Sequence, residues 1–350
     1  MENNSDISVD ELNRSNEIIK EILNYSNQKV VGQKKLQTAL LTAFMANGHV
    51  LLESVPGLAK TTAAKVFSDA VSGKFSRVQC TPDLLPSDII GTQIFNYQTG
   101  KFEVKVGPVY ANFVLLDEIN RSSAKTQSAM LEAMQEHQIS IDRIAFKMPN
   151  VFVVIATQNP IEQEGTYLLA EAQLDRFLIK EKIDYPSLEE EIEILNREES
   201  NVFTKNDPIL KIEDIEFLQD LCKRVYIDSS IKEYIAKIIN ATRNSKGIIS
   251  DEMSKYIRMG ASPRGSIAFM KTAKALALIN GRNYVIPEDV KEVSHSVLRH
   301  RIELNYAAIA DEIEVEKIID EILGAIQTPW EMIIFWKLKQ IYQYMQGKKP

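Results

Sequence analysis

Between residues 50 and 71 the sequence runs Val50-Leu51-Leu52-Glu53, then Ser54-Val55-Pro56-Gly57-Leu58-Ala59-Lys60-Thr61. A stretch follows in which Ala63, Ala64, Val66, Phe67 and Ala70 recur at helical spacing. A short apolar run, a turn containing Pro and Gly, and an amphipathic helix leave few folds open. The order is strand, loop, helix, and a strand that reads as an unbroken apolar run is one covered on both faces. Further runs of this kind fall at Arg77–Cys80, Phe113–Leu116, Val151–Thr157 and Phe177–Ile183, with helical stretches such as Ser122–Glu136 between several of them. The alternation predicts an α/β core: a mostly parallel sheet with helices on both faces.

Two helices precede that core. One spans about residues 9–27 with a stripe of Ile18, Ile19, Ile22 and Leu23. The next carries Leu36, Ala39, Leu40, Ala43 and Phe44 and stops at Asn47-Gly48, as helices commonly do. Two hairpins interrupt the alternation, one over residues 91–109 with its turn at Gln98–Lys101, the other over 138–148. Beyond Pro186 the period becomes helical, starting with the capping signal Ser187-Leu188-Glu189-Glu190. Helices are expected at 213–225, 228–243, 262–280, 287–300 and 311–326, so the chain divides near Pro186 into an α/β domain (1–186) and an all-α domain (187–350). The tail from Trp330 to Tyr344 reads as an amphipathic helix, packed on the protein or set against a membrane surface or a partner.

Composition removes several functions. A net charge of −7 gives no global basic signature for nucleic acid. No apolar run approaches the roughly 18 residues of a membrane span, and the polar, acidic start lacks the apolar region of a signal peptide. Cys80 and Cys222 have no ligand spacing and read as reduced thiols of a cytoplasmic protein. His49, His137, His295 and His300 form no metal pattern.

Three strand ends carry chemistry. At the first, Ser54 and Ala59 stand where the phosphate-loop pattern G-x-x-x-x-G-K-[ST] has glycines. The physics survives: a helix N-terminus favours phosphate, Gly57 supplies backbone freedom, Lys60 a point charge, and Thr61 a hydroxyl for Mg²⁺. At the second, Phe113–Leu116 runs into Asp117-Glu118, fit to hold Mg²⁺ and to polarise a water respectively. At the third, Val151–Thr157 runs into Gln158-Asn159-Pro160, where Asn159 either orients the water or is simply a turn residue. Arg176, before the last strand, and Arg264, in Ser262-Pro263-Arg264-Gly265 at a helix start, each read alone as a surface ion-pair residue.

The order of these features resembles the AAA+ ATPases, and most closely the MoxR family. The resemblance rests on Gly48–Glu53, Pro56–Thr61, Thr81–Asp88, Asp117–Arg121, Lys125–Ala129, Ala156–Pro160, Glu164–Tyr167 and Glu171–Phe177, and covers about residues 30–300. Ser54 departs from the family's usual Gly, whereas Ala59 is normal for it.

The resemblance implies a P-loop core of five parallel strands in the order 5-1-4-3-2 followed by a helical lid. It implies ATP and Mg²⁺ as cofactors. Val55, Pro56, Gly57, Leu58, Ala59, Lys60, Thr61 and Thr62 would cradle phosphate, and Val31, Gly32 and Gln33 would line the adenine pocket. Thr61 and Asp117 would hold the metal, and Glu118, Asn159 and Lys60 would be catalytic. Arg264 would be the lid's sensor arginine, and Arg176 a finger completing a neighbouring subunit's site. The 91–106 hairpin would be the clade's helix-2 insertion. The resemblance further implies a homo-oligomeric ring, hexameric in type, acting on a protein client, often with a von Willebrand A-domain partner. Three alternatives stand beside this reading: a metal-chelatase-like motor, a DNA-translocating ATPase, and a nucleotide-binding scaffold that no longer hydrolyses.

Overall fold

A computed structural model describes residues 7–54, 60–160, 167–199 and 207–330. The loop residues 55–59, the side chains of Lys60 and Thr61, the segment 161–166 and the tail from 331 onward lie outside the described residues. Five strands form one parallel sheet: β1 (Val50–Glu53), β2 (Phe75–Gln79), β3 (Phe113–Asp117), β4 (Val153–Gln158) and β5 (Ile179–Lys182). Their spatial order is β2-β3-β4-β1-β5, the expected 5-1-4-3-2.

The apolar runs are continuous because both faces of the sheet are covered. On one face Leu51, Val114, Leu116, Val154 and Ala156 pack with Met130, Leu131 and Met134 of the helix Ala124–Glu136. On the other, Phe113 stacks on Phe44 at 4.8 Å between ring centroids, and Phe44 meets Phe67 edge-on at 6.0 Å. Phe44 and Phe67 come from the helices Lys34–Met45 and Lys60–Asp69.

His49, just before β1, is a buried linker. The Val154 amide donates to its Nδ1 at 3.1 Å, so the ring is neutral there and its Nε2–H donates to the Met134 carbonyl at 3.2 Å. Asn47, at φ 44°, takes the left-handed turn after the second helix, and Gly48 serves a different need. A Cβ on Gly48 would lie 2.5 Å from Leu178 Cδ2, so a side chain there would push the start of β5 away.

Both insertions are antiparallel hairpins, Gly91–Asn96 with Lys101–Val106 and Gln138–Ile141 with Ile144–Lys147. Packing divides the chain into two compact units, Met1–Arg224 and Val225–Pro350. The change of period near Pro186 and the change of packing partner are thus different points. The helix Ile212–Arg224 packs within the first unit, where Gln219 Nε2 donates to the Phe44 carbonyl at 2.8 Å. The second unit is built from the helices Ser229–Arg243, Pro263–Ile279, Pro287–Leu298 and Val315–Ala325. It also carries a two-stranded ladder, Ile257–Met259 with Glu303–Leu304, which the helical period did not signal. No described helix is long and apolar enough to cross a membrane.

Candidate active site

The carboxyl edge of the sheet gathers the polar residues. β3 ends in Asp117, only 6% exposed, and the chain leaves through Glu118 in the left-handed conformation (φ 57°, ψ 54°) into a 3-10 turn, Ile119–Arg121. That conformation costs a non-glycine residue roughly 1–2 kcal/mol. It is held from the next strand: the Glu118 amide donates to Thr157 Oγ1 at 2.9 Å, and the Thr157 hydroxyl donates to Asp117 Oδ1 at 3.3 Å. Parallel register, with Leu116 opposite Ala156, brings Thr157 level with Asp117.

The strand on the other side, β2, reaches the same pair. Arg77 Nε donates to Asp117 Oδ2 at 2.7 Å and Gln79 Nε2 to Glu118 Oε2 at 3.0 Å. Two residues apart on a strand, they share a face. Arg121 Nη1 adds a contact to Glu118 Oε2 at 3.2 Å. Cys80 lies behind the carboxylates. Its thiol is pushed up to about 12, chiefly by burial, with a Ser122 hydrogen bond opposing and the Asp117 and Glu118 charges adding. It is therefore a poor nucleophile at neutral pH.

Asn159 follows β4 directly and is 3% exposed. Asn120 Nδ2 donates to its carbonyl at 3.4 Å, and the Tyr167 amide donates to the Asn120 carbonyl at 2.7 Å. Gln127 Nε2 reaches the carbonyls of Ile119, Ser122 and Tyr167. The 3-10 turn, the exit of β4 and the segment from Tyr167 are thus tied into one frame. The Ser54 amide donates to the Gln158 carbonyl at 3.2 Å. The β1–β4 ladder therefore extends one rung, to Ser54. Thr62 is exposed in the first turn of the helix Lys60–Asp69.

Val31, Gly32 and Gln33 join the first two helices. Gly32 and Gln33 both take positive φ, 63° and 54°. Gln33 Nε2 donates to the Asp184 carbonyl at 3.2 Å, and a Cβ on Gly32 would meet the Glu190 carboxylate at 2.1 Å. These residues therefore sit against the exit of β5 and the start of the helix Leu188–Glu199. Arg176 lies elsewhere: it precedes the amino end of β5, at the opposite end of the sheet from Asp117, Glu118 and Asn159. β1 and β4 also stand between β5 and β3, a lateral separation of roughly 14 Å. Arg264 is exposed in the second unit, one residue after Pro263, and its amide donates to the capping Ser262 Oγ at 3.1 Å.

Sequence reading missed Arg77, Gln79, Thr157, Asn120 and Arg121 as parts of the site. A signal existed for two of them: Arg77 and Gln79 alternate around buried Val78 in a strand otherwise expected to be apolar.

Comparison with known proteins agrees with this architecture. The family described as "ATPase family associated with various cellular activities (AAA)" matches residues 49–179, and the "AAA lid domain" family matches residues 250–322. The chain is 46% identical to "Chaperone MoxR1" of Mycobacterium tuberculosis over 300 residues, covering 86% of this chain and 79% of that one. It is 44% identical over 304 residues to the uncharacterised protein YeaC of Bacillus subtilis, covering 87% and 92%. A crystal structure from Cytophaga hutchinsonii, described as a candidate ATPase, superposes with a TM-score of 0.85 at 43% identity, covering 91% of this chain and 97% of that one.

Proposed function

The chain belongs to the MoxR family of AAA+ ATPases, and on that premise we propose that it binds ATP with magnesium and hydrolyses it to ADP and phosphate. The observation that carries this reading is the Asp117–Glu118 pair, held by the Thr157 hydroxyl at the carboxyl edge of the sheet, the edge at which β1 also ends.

Glu118 is the base that aligns the attacking water, and Asn159 supports that water. Among the described residues the Gln79 and Arg121 contacts both go to Oε2, so Oε1 is the oxygen we assign to the water. Lys60 and the loop residues 55–59 with Thr61 and Thr62 cradle phosphate, and Val31, Gly32 and Gln33 receive adenine.

Thr61 and Asp117 would hold the magnesium. A buried carboxylate is a hard oxygen donor, and no group of three or more His, Cys, Asp or Glu among the described residues could hold a metal ion. That suits Mg²⁺, which keeps its waters and takes one or two carboxylates plus substrate phosphates. When bound, the metal supplies charge neutralisation at the phosphates.

Arg176 stands at the wrong end of its own sheet to reach its own site, which favours action in trans on a neighbour in a ring, hexameric by family habit. Arg264 acts from the lid. The ring remodels or matures a protein client in the cytoplasm, with a von Willebrand A-domain partner as the expected companion. The homology to a chaperone supports this role.

Glu118→Gln tests the reading. The variant should bind ATP as the wild type does, with turnover lower by roughly 10²-fold or more. Wild-type turnover in that variant would overturn the assignment.

A further inference from the structure

We propose that Arg77 is a built-in counter-cation of Asp117 and that, by competing for this carboxylate, it raises the magnesium concentration at which the metal–nucleotide complex forms. The inference rests on the reading of Asp117 as a metal-holding residue. Asp117 is nearly enclosed, and a carboxylate so placed is costly to leave without a compensating charge.

Among the described residues its two oxygens are engaged differently. Oδ1 accepts from the neutral Thr157 hydroxyl at 3.3 Å, whereas Oδ2 accepts from the Arg77 guanidinium at 2.7 Å. A divalent cation arriving at this carboxylate tolerates the hydroxyl. It is opposed by the guanidinium, which carries like charge and holds the second oxygen.

Arg77 is placed to yield. Its side chain is 52% exposed, while that of Asp117 is 8% exposed. The arginine thus approaches from the solvent side and can withdraw into water without disturbing the core. It projects from the edge strand β2, opposite Leu115, and leans along β3 to reach Asp117. Thr157 on β4 continues to hold Oδ1 when the guanidinium leaves. Because one partner is half-exposed, the competition is modest: an ion pair of this kind corresponds to roughly a two- to fivefold change in an equilibrium.

The test titrates magnesium into the full-length protein with a fixed concentration of a fluorescent, non-hydrolysable ATP analogue, reading complex formation directly. Solution binding of magnesium to the analogue is common to all samples, so the ratio of midpoints reports the protein. Arg77→Gln should lower the magnesium midpoint by about two- to fivefold. Arg77→Met, which keeps the aliphatic stem, should do the same and serves if the first variant folds poorly. An unchanged or raised midpoint in a folded variant overturns the proposal. If the wild-type protein binds the analogue equally with and without magnesium, the metal-site reading fails and the proposal falls with it. That outcome is distinct from a wild type that responds to magnesium and an Arg77 variant that responds identically.

Discussion

Thr157 does two things with one hydroxyl. It accepts the amide of Glu118, fixing that residue in a strained backbone conformation, and it donates to Asp117. Valine has nearly the same shape and neither capacity. Thr157→Val should cost about 1–3 kcal/mol of stability, because a part-buried amide loses its acceptor and the buried Asp117 carboxylate a donor. It should also lower kcat by on the order of tenfold, since Glu118 is no longer aimed. ATP affinity in the absence of magnesium should hold. Chemical unfolding and steady-state kinetics read these separately, and Thr157→Ser should restore both. Equal kinetics in the valine variant would remove Thr157 from the site. This role was not legible in the sequence, because it depends on which residue of β4 stands beside the end of β3. Asp117 and Glu118 were legible, because an apolar run ending in carboxylates is visible without knowing the register.

At the scale of elements, one residue of the long helix Val9–Lys29 joins its cap to a distant helix. Glu11 closes a capping box with Ser8, accepting its amide at 2.9 Å, and also pairs with Arg224 at the end of the helix Ile212–Arg224. The Arg224 hydrogen bond, aided by the Ser8 amide, lowers the Glu11 carboxyl from 4.5 to about 2. A carboxylate with a depressed pKa stabilises the folded state above its unfolded value. That contribution is lost as pH falls through the folded value. The stability advantage of wild type over Glu11→Gln should therefore be full above about pH 4.5 and vanish as pH approaches 2. Paired thermal-unfolding series across that range would show it, and a constant difference would refute it. The helix itself was legible from its apolar spacing, and its partner was not: Arg224 lies over two hundred residues away in sequence. Strand limits shifted for a similar reason. Val151 and Phe152 are as apolar as the rest of β4, but the ladder starts at Val153, where the Asn112 carbonyl first accepts an amide.

For the whole molecule, alternation of apolar runs and helices foretold the sheet, and the order of its strands followed once the family was recognised. What no periodicity could give is the partition into units, because packing, not helical period, assigns the segment from Leu188 to Arg224 to the first of them. The placement of Arg176 has a consequence that can be counted. With the carboxylates at one end of the sheet and this arginine at the other, the head-to-tail ring proposed above would give every protomer one contribution to its own site and one to its neighbour's. Two kinds of dead protein then follow. On that proposal Glu118→Gln should silence its own site yet still lend its arginine, and Arg176→Ala should keep a sound site but leave the adjacent one unfinished. Neither should turn over ATP alone. Mixed in equal amounts and allowed to exchange, they should recover roughly a quarter of wild-type activity, the chance that an intact site meets an intact neighbour. Two inactive preparations would make an active one, and a mixture that stays silent would return Arg176 to the surface.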